Sequence, residues 1–251
     1  MDHIDPFLFL NHHGPQVYPS QNQGLPFGPH PHRGFETVTF ILEGDIAHRD
    51  SAGHESIIES GGIQWMTAGR GLVHSETSSE TFKQRGGPLE ILQLWVNLPA
   101  RLKMTNPRYI GFQKSEIPMI QQPLCQIQLI AGEFDNQKGA VEPLFPISLM
   151  TVNLQTGGEF HPTVPLDENI FFYLVRGSGK IQGHEVRKMQ LIEFLNDGEE
   201  IQFQAEERSL ILFGHAKPHR EAIVAHGPFV MNTREEIHQA IQDYQSGKLF
   251  D

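Results

Sequence analysis

The segment 29-PHPHRGFETVTFILEG-44 decides how the rest of the chain is interpreted. It begins with His30 and His32, which stand two residues apart around Pro31, and continues as a run of β-branched and aromatic residues. Residues i and i+2 of an extended strand point to the same face, and a proline drives the residue before it towards extended backbone. The sequence therefore predicts a strand carrying two imidazoles side by side. Such a pair is typical of a metal site, but it also arises by chance in a chain with 14 histidines.

The composition is that of a globular protein, with 38% hydrophobic and 20% charged residues. A chain of 251 residues is long enough for one large domain or for two of about 120 residues. The 24 glycines and 17 prolines indicate frequent turns and hence many short strands. The formal charge of -11 disfavours direct nucleic-acid binding, because binding to phosphates requires a basic surface.

The cellular location is inferred from cysteine content and from the amino terminus. Cys125 is the single cysteine, which excludes an intramolecular disulfide framework and fits a reducing compartment. No apolar stretch approaches the roughly 18 residues that a membrane span needs. The first residues, MDHIDPFLFLNHHGP, lack a basic region and a small-residue cleavage site, so no secretory signal is expected. We expect a cytoplasmic protein without a membrane partner.

Short strand-like segments dominate the chain. They are rich in β-branched and aromatic residues and are separated by Gly, Asp, Asn or Pro. The segments are FETVTFILEG, HESIIE, GIQWMTAG, LEILQLWVNL, CQIQLIAGEF, ISLMTVNL, NIFFYLVRGSGKI, MQLIEFL and RSLILFG. This pattern predicts an all-β fold.

Only the end of the chain predicts a helix, over about residues 232–246. Asn232 or Thr233 can cap it, and a glutamate follows at the capping-box position. Gly247 is expected to end this helix. An apolar stripe at helical spacing is formed by Ile237, Ala240, Ile241 and Tyr244.

An internal duplication divides the strands into two sets. FETVTFILEGDIAH and NIFFYLVRGSGKIQGH share a strand, a glycine turn and a second strand, and they align when Gly44 is matched with Gly177. The segment 97–123 is polar and contains prolines, as a linker does. We therefore expect two all-β barrels, over residues 1–112 and 113–251, with the helix at the end of the second.

A second pair of candidate ligands has the same spacing as the first. In 69-GRGLVHSE-76, His74 and Glu76 again lie two residues apart. The short strands between the pairs allow a sheet to curl and bring the pairs face to face. Three imidazoles and a carboxylate form a suitable site for a divalent first-row transition metal, as in non-haem Fe(II) oxygenases. Glu36 is a further candidate ligand, or else a salt-bridge partner or a solvated strand residue.

These motifs resemble those of a known superfamily and of one family within it. The spacing from His30 to Gly44 is similar to the first cupin motif, and 69-GRGLVH-74 is similar to the second, with Gly69 where cupins usually have proline. The blocks DPFLFLNHHGP, PHPHRGFETVTFILEG, HRDSAGH, QWMTAGRGLVHSE and HGPFVMNTREEI resemble the pirin family over nearly the whole chain. The resemblance implies two tandem cupin barrels, jelly-roll-like and all-β, with a short C-terminal α-helix.

The same resemblance implies one metal in the N-terminal barrel. The ligands carried over from the family are His30, His32, His74 and Glu76, and Glu36 is not a ligand in this scheme. The metal implied is Fe(II), with Cu, Mn, Ni or Co as alternatives.

The second half of the chain lacks an equivalent of this ligand set. Matching Gly44 with Gly177 places Thr163 and Pro165 at the positions of His30 and His32. Neither can ligate as an imidazole does, so we expect one metal per chain.

Two functions fit this site. The first is a quercetin 2,3-dioxygenase-like enzyme, which opens a flavonol or related enol with dioxygen and loss of carbon monoxide, with Glu76 as the catalytic base. The second is a non-catalytic, iron-dependent redox sensor that binds a protein partner; the charge permits this, but no basic nuclear-localisation run is present.

The candidate pocket-wall residues are Arg33, Phe35, Trp65, Met66, Arg70 and His13, the last standing where the family more often has Phe.

Overall fold

The structure is a computed structural model that describes residues 4–195 and 197–249. Strands dominate these residues, which confirms the predicted all-β class. The chain divides into two compact units. The first unit contains Phe7–Ser115 together with residues 219–249, and the second contains Glu116–Pro218 together with residues 4–6.

The first unit is a pair of antiparallel sheets. One has the strand order β1-β8-β3-β6-β9 and the other the order β2-β7-β4-β5. The elements are β1 (Phe7–Tyr18), β2 (Phe27–His32), β3 (Phe35–Glu43), β4 (Asp45–Asp50), β5 (Glu55–Glu59), β6 (Ile63–Thr67), β7 (Leu72–Thr77), α1 (Glu80–Arg85), β8 (Gly87–Asn97), the 3-10 turn Ala100–Leu102, β9 (Arg108–Phe112) and the 3-10 turn Lys114–Glu116.

Strand register directs the candidate ligands into the space between these sheets. On β7, buried residues alternate with half-buried ones, as expected when one strand face points inward. His30 lies opposite His74 in the β2–β7 pair, and His32 lies opposite Leu72. The ligand pairs therefore share one interior.

The C-terminal segment belongs to the first unit, which corrects the expected domain division. It contains β22 (Val224–His226), β23 (Phe229–Met231) and α2 (Arg234–Gln245). Thr233 caps α2 and forms a capping box with Glu236, as predicted. Ile237, Ala240 and Ile241 of the predicted stripe pack in one cluster with Val73 on the outer face of β7, whereas Tyr244 is exposed. Long-range packing rather than chain order therefore assigns the helix. The boundary between the two units in the middle of the chain lies between residues 115 and 116, slightly beyond the expected boundary between residues 112 and 113.

The second unit repeats the same topology. Its principal sheets have the orders β10-β11-β14-β21-β16-β19 and β15-β20-β17-β18, with a small β12-β13 hairpin beside them. The strands are β10 (Met119–Gln122), β11 (Cys125–Ala131), β12 (Glu133–Phe134), β13 (Gln137–Lys138), β14 (Ile147–Leu154), β15 (Glu159–Phe160), β16 (Asn169–Arg176), β17 (Ser178–Ile181), β18 (His184–Arg187), β19 (Gln190–Ile192), β20 (Phe203–Ala205) and β21 (Ser209–Ala216). The order β14-β21-β16-β19 matches β1-β8-β3-β6, and β15-β20-β17-β18 matches β2-β7-β4-β5. The predicted duplication is thereby confirmed.

Register also shows what replaces the candidate ligands in the second unit. His48 pairs with Glu76 in the first unit. Its equivalent when Gly44 is matched with Gly177 is Ile181, which pairs with Phe203. The position equivalent to Glu76 is thus Phe203, which is fully buried in an apolar core that also holds other phenylalanine rings, those of Phe160, Phe172 and Phe213. These rings fill the second interior where the first unit has imidazoles and a carboxylate.

Two local expectations differ from the structure. The segment 97–123 is more than a linker, because its residues Arg108–Phe112 form β9, which pairs with β6. Helix α1 was not expected from the sequence. It has only six residues, too few to show helical periodicity, and begins at an N-cap in which the Ser79 side chain accepts the Phe82 N–H.

Candidate metal centre

Three histidines converge inside the first unit. His30 and His32 come from β2 and His74 comes from the neighbouring β7. Their ring centroids are 4.4 Å apart for His30 and His74, 4.8 Å for His30 and His32, and 4.9 Å for His32 and His74. One nitrogen from each ring lies within 4.8 Å of the other two. Three imidazoles can therefore reach a common point.

The hydrogen bonding of these rings fits a metal. Both ring nitrogens of His74 and of His32 are buried and have no hydrogen-bond partner among residues 4–195 and 197–249. The carbonyl of Pro228 lies near His32, but its geometry does not make a hydrogen bond. Buried polar atoms are otherwise almost always paired. A metal would account for one nitrogen of each ring.

His30 differs from the other two in being oriented by the backbone. Its Nδ1 donates to the Gly28 carbonyl oxygen at 2.7 Å. Such a contact fixes the tautomer and leaves Nε2 with a free lone pair, as in many metal-binding histidines.

Burial keeps the imidazoles of His32 and His74 neutral. It lowers the pKa of His32 to about 3, and the nearby His30 ring contributes in the same direction. The pKa of His74 is held well below its usual value, first by burial and then by the neighbouring histidines. At neutral pH both rings therefore present lone pairs, which is the form that binds metals.

Glu76 lies next to this cluster but outside it. Its carboxylate is not among the groups that lie within 4.8 Å of one another. It is buried and accepts hydrogen bonds from Thr39 Oγ1 at 3.1 Å, from Gln64 Nε2, and from Gln93 Nε2 at 2.6 Å. Burial raises the pKa of Glu76, and the bonds from Gln93 and Thr39 oppose that rise. The structure thus brings the three histidines together and holds the carboxylate beside them by amides.

A fourth histidine faces the same interior and was missed in the sequence. The His48 ring is 5.5 Å from that of His74 and stacks on Tyr109 at 4.1 Å. Its Nε2 donates to Asp50 Oδ2 at 3.1 Å, and His54 Nδ1 donates to the same oxygen at 3.0 Å. Burial lowers the pKa of His48. The alternation of His48 and Asp50 on one strand face is the signal that could have identified them.

An aromatic wall on one side of the histidines contains a tryptophan that was also missed. The Trp95 ring lies 5.5 Å from His32, 4.4 Å from Phe35 and 5.4 Å from Phe9. Phe35 itself is 5.0 Å from His32. Phe9 is 47% exposed, so this wall extends from the interior to solvent.

Two of the predicted pocket residues face elsewhere. Arg33 donates to the Arg70 carbonyl and, at 2.6 Å, to Asp243 Oδ2 of α2, so it anchors the helix. Trp65 alternates with Gln64 on β6 and lies on the opposite face of the sheet, the face that also carries Glu36. The contacts of Arg33 and the strand alternation of Trp65 therefore place both side chains away from the histidines.

The other predicted pocket residues have different positions. Phe35 borders the histidines, and Met66 lies on the same sheet face as Gln64. His13 Nε2 is 3.2 Å from the Tyr18 hydroxyl, and its ring packs against Phe27. Arg70 lies in the turn between β6 and β7, where its N–H donates to the Thr105 carbonyl. No contact among the described residues joins the Arg70 side chain to the histidines.

Glu36 is neither a metal ligand nor a solvated residue. Its side chain lies on the sheet face away from the histidines, is fully buried, and accepts a hydrogen bond from Thr67 Oγ1 at 2.6 Å. Burial raises its pKa to about 7.

In residues 4–195 and 197–249, neither helix has the length and apolar character required to cross a membrane.

Comparisons with known proteins agree with this geometry. The family described as Pirin matches residues 1–96, and the Pirin C-terminal cupin domain matches residues 149–250. A pirin-like protein of Solanum lycopersicum is 38% identical over 253 residues, covering 99% of this chain and 83% of that protein. The crystal structure of a quercetin 2,3-dioxygenase from Acinetobacter baumannii superposes with a TM-score of 0.92 at 36% identity, covering 98% and 86% of the two chains.

A more distant structure has the same fold. The bacterial pirin YhhW of Escherichia coli, in complex with nickel(II), gives a TM-score of 0.66 at 23% identity, with coverage of 86% of this chain and 84% of that chain.

Proposed function

This chain is a member of the pirin family with that family's two-domain cupin fold, and we propose that it is a metal-dependent dioxygenase acting on quercetin or a related flavonol or enol. The observation that carries the proposal is the convergence of three imidazoles, two of them, His32 and His74, buried with no hydrogen-bond partner for either ring nitrogen among the described residues. The similarity to the dioxygenase of Acinetobacter baumannii supports the substrate class.

The proposed metal ligands are His30, His32 and His74, with Glu76 as the fourth. Neutral imidazoles and a carboxylate suit iron, and also copper, manganese, nickel or cobalt; we propose Fe(II). A divalent metal held there supplies Lewis-acid polarisation of a bound enol oxygen.

The proposed role of Glu76 is that of general base. Its carboxylate would take the proton of the substrate hydroxyl on Oε2 when that oxygen is not bound to the metal, since among the described contacts Oε2 accepts only the Gln93 bond. Burial raises the pKa of Glu76, which makes the carboxylate a stronger base than one in water. Hydrogen bonds to both oxygens hold it in place.

The proposed substrate surface is the aromatic wall of Phe9, Trp95 and Phe35. Planar aromatic substrates gain stabilisation by stacking or edge contacts with such rings. The half-exposed Phe9 lies where a substrate would enter from solvent.

The experiment is a turnover assay with a defined metal content. The protein is loaded with Fe(II) without oxygen, quercetin and air are added, and the loss of flavonol absorbance is followed together with carbon monoxide release. We expect stoichiometric loss and release. Absence of turnover with the metal fully bound would refute the proposed dioxygenase activity on quercetin.

A matched pair of variants tests the site itself. His74→Ala removes a converging imidazole, whereas His184→Ala removes an exposed one on β18. We expect the first variant to lose activity and the second to retain it.

A further inference from the structure

The side chain of Gln93 lies between Trp95 and Glu76, and its orientation is determined by both. Trp95 Nε1 donates to Gln93 Oε1 at 3.1 Å, and Gln93 Nε2 donates to Glu76 Oε2 at 2.6 Å. An indole N–H can only donate, so the atom facing Trp95 must be the amide oxygen. The amide nitrogen is consequently directed at the carboxylate.

A second amide reaches the other oxygen of the same carboxylate. Gln64 Nε2 donates to Glu76 Oε1, and the Tyr109 hydroxyl donates to Gln64 Oε1 at 3.3 Å. Thr39 Oγ1 also donates to Glu76 Oε1, at 3.1 Å. Both glutamines are therefore held at their oxygens by an aromatic residue that bears an N–H or O–H.

These contacts use most of the acceptor capacity of Glu76. An ionised carboxylate offers about four lone-pair positions, two on each oxygen. Donors from Gln64 and Thr39 occupy Oε1, whereas the contacts described for Oε2 come from Gln93 alone. One acceptor position remains, and it is on Oε2.

We propose that Gln93, held by Trp95, is a positioning residue that orients Oε2 of Glu76 towards the metal. Gln64, held by Tyr109, fills Oε1 together with Thr39 and so excludes a contact of both oxygens with the metal. The inference rests on the proposed metal site, because it concerns how the fourth ligand is presented there. It also links the aromatic wall to the Glu76 carboxylate, since Trp95 belongs to that wall and holds Gln93, which donates to the carboxylate.

The test measures Co(II) binding, not turnover. Wild type, Gln93→Met and Trp95→Phe are titrated with Co(II), and the d–d absorption bands of each fully loaded protein are recorded. Gln93→Met keeps the side-chain length but removes the donor, and Trp95→Phe keeps an aromatic ring but removes the N–H. Removing such an outer partner weakens metal binding about ten-fold or more. We expect this loss and altered d–d bands in Gln93→Met, with a smaller change of the same kind in Trp95→Phe.

The matched control is Gln128→Met. Gln128 is a strand glutamine like Gln93, but it is buried in the second unit, where the Thr151 hydroxyl donates to it. We expect wild-type Co(II) affinity and bands in this variant. A packing role alone would lower the thermal midpoint of Gln93→Met without changing its bands, and unchanged bands and affinity would overturn the inference.

Failure of this inference and failure of the proposed function give different results. If wild type binds no Co(II), the proposed metal site is wrong and the inference falls with it. If wild type binds Co(II) and Gln93→Met matches it, the metal site stands and the positioning role is wrong. Should Gln93→Met fail to fold, Trp95→Phe decides by the same two measurements.

Discussion

Replacing Glu36 with glutamine should make the first unit more stable above neutral pH and have little effect at acid pH. Glu36 is fully buried on β3, on the sheet face away from the histidines. The hydrogen bond from Thr67 only partly offsets the loss of hydration, so burial raises its pKa from 4.5 to about 7. A neutral glutamine occupies the same volume without a charge.

The sign and size of the effect follow from proton linkage. Because the folded state binds the proton of Glu36 more tightly than the unfolded chain does, this group's contribution to stability is fully present below pH 4.5. It is lost as the pH rises through about 7. At about 1.4 kcal/mol per pH unit, the difference between the two pKa values amounts to about 3 kcal/mol. Well above pH 7 the loss is complete and constant.

The assay is urea unfolding of the metal-free protein between pH 4.5 and 8.5, followed by tryptophan fluorescence. The chain has two tryptophans, and both Trp65 and Trp95 lie in the first unit, so the signal reports that unit. Glu185→Gln, an exposed residue of β18, is the control. We expect the difference between Glu36→Gln and wild type to grow by about 3 kcal/mol from pH 4.5 to 8. Parallel pH profiles would refute the reasoning.

Three further changes test the site and its support. His30→Ala and His74→Ala should each abolish stoichiometric iron binding while the circular dichroism spectrum stays unchanged; retained iron in both would contradict the proposed ligands. Glu76→Gln should lower the turnover of the iron-loaded protein at least about 100-fold without loss of folding, and unchanged turnover would exclude the base role. Asp243→Asn should destabilise the first unit by about 2 kcal/mol, because Arg33 stays buried without its carboxylate; the cost is moderated because Asp243 keeps 22% side-chain exposure. Fluorescence-detected urea unfolding would measure it, and an unchanged midpoint would contradict it.

The candidate ligands could be found in the sequence because the period of a strand is local. His30 with His32, and His74 with Glu76, each show the spacing of two that places side chains on one face. His48 shows it too, paired with Asp50, but nothing local indicates which hairpin joins β7, and only the register places His48 opposite Glu76.

The choice between the two tryptophans shows why the rest could not be predicted. Trp65 stands near the GRGLVHSE motif in the chain, whereas Trp95 lies well beyond it. A register difference of one residue reverses the face to which a side chain points. Register depends on pairing between β3 and its two neighbours, which are distant in sequence. The packing of residues 219–249 in the first unit could not be predicted for the same reason. It depends on contacts with Val73, which is distant in sequence and gives no local signal.

The two units have the same strand topology but different interiors. In the second, the position of Glu76 is occupied by Phe203, and phenylalanine rings fill the interior. Burial of these rings stabilises that unit directly. In the first, the same space holds imidazoles and a carboxylate, which contribute little apolar burial and are costly to leave unpaired.

The first unit has additional apolar packing outside its polar interior. Ile237 and Ala240 of α2 are buried in a cluster that includes Val73 on the outside of β7. Val73 immediately precedes His74, so apolar burial on the outer face supports the strand whose inner face carries the candidate site. Ligands held within a few tenths of an ångström require rigid support of this kind. The C-terminal segment therefore stabilises the fold and the site by the same contacts.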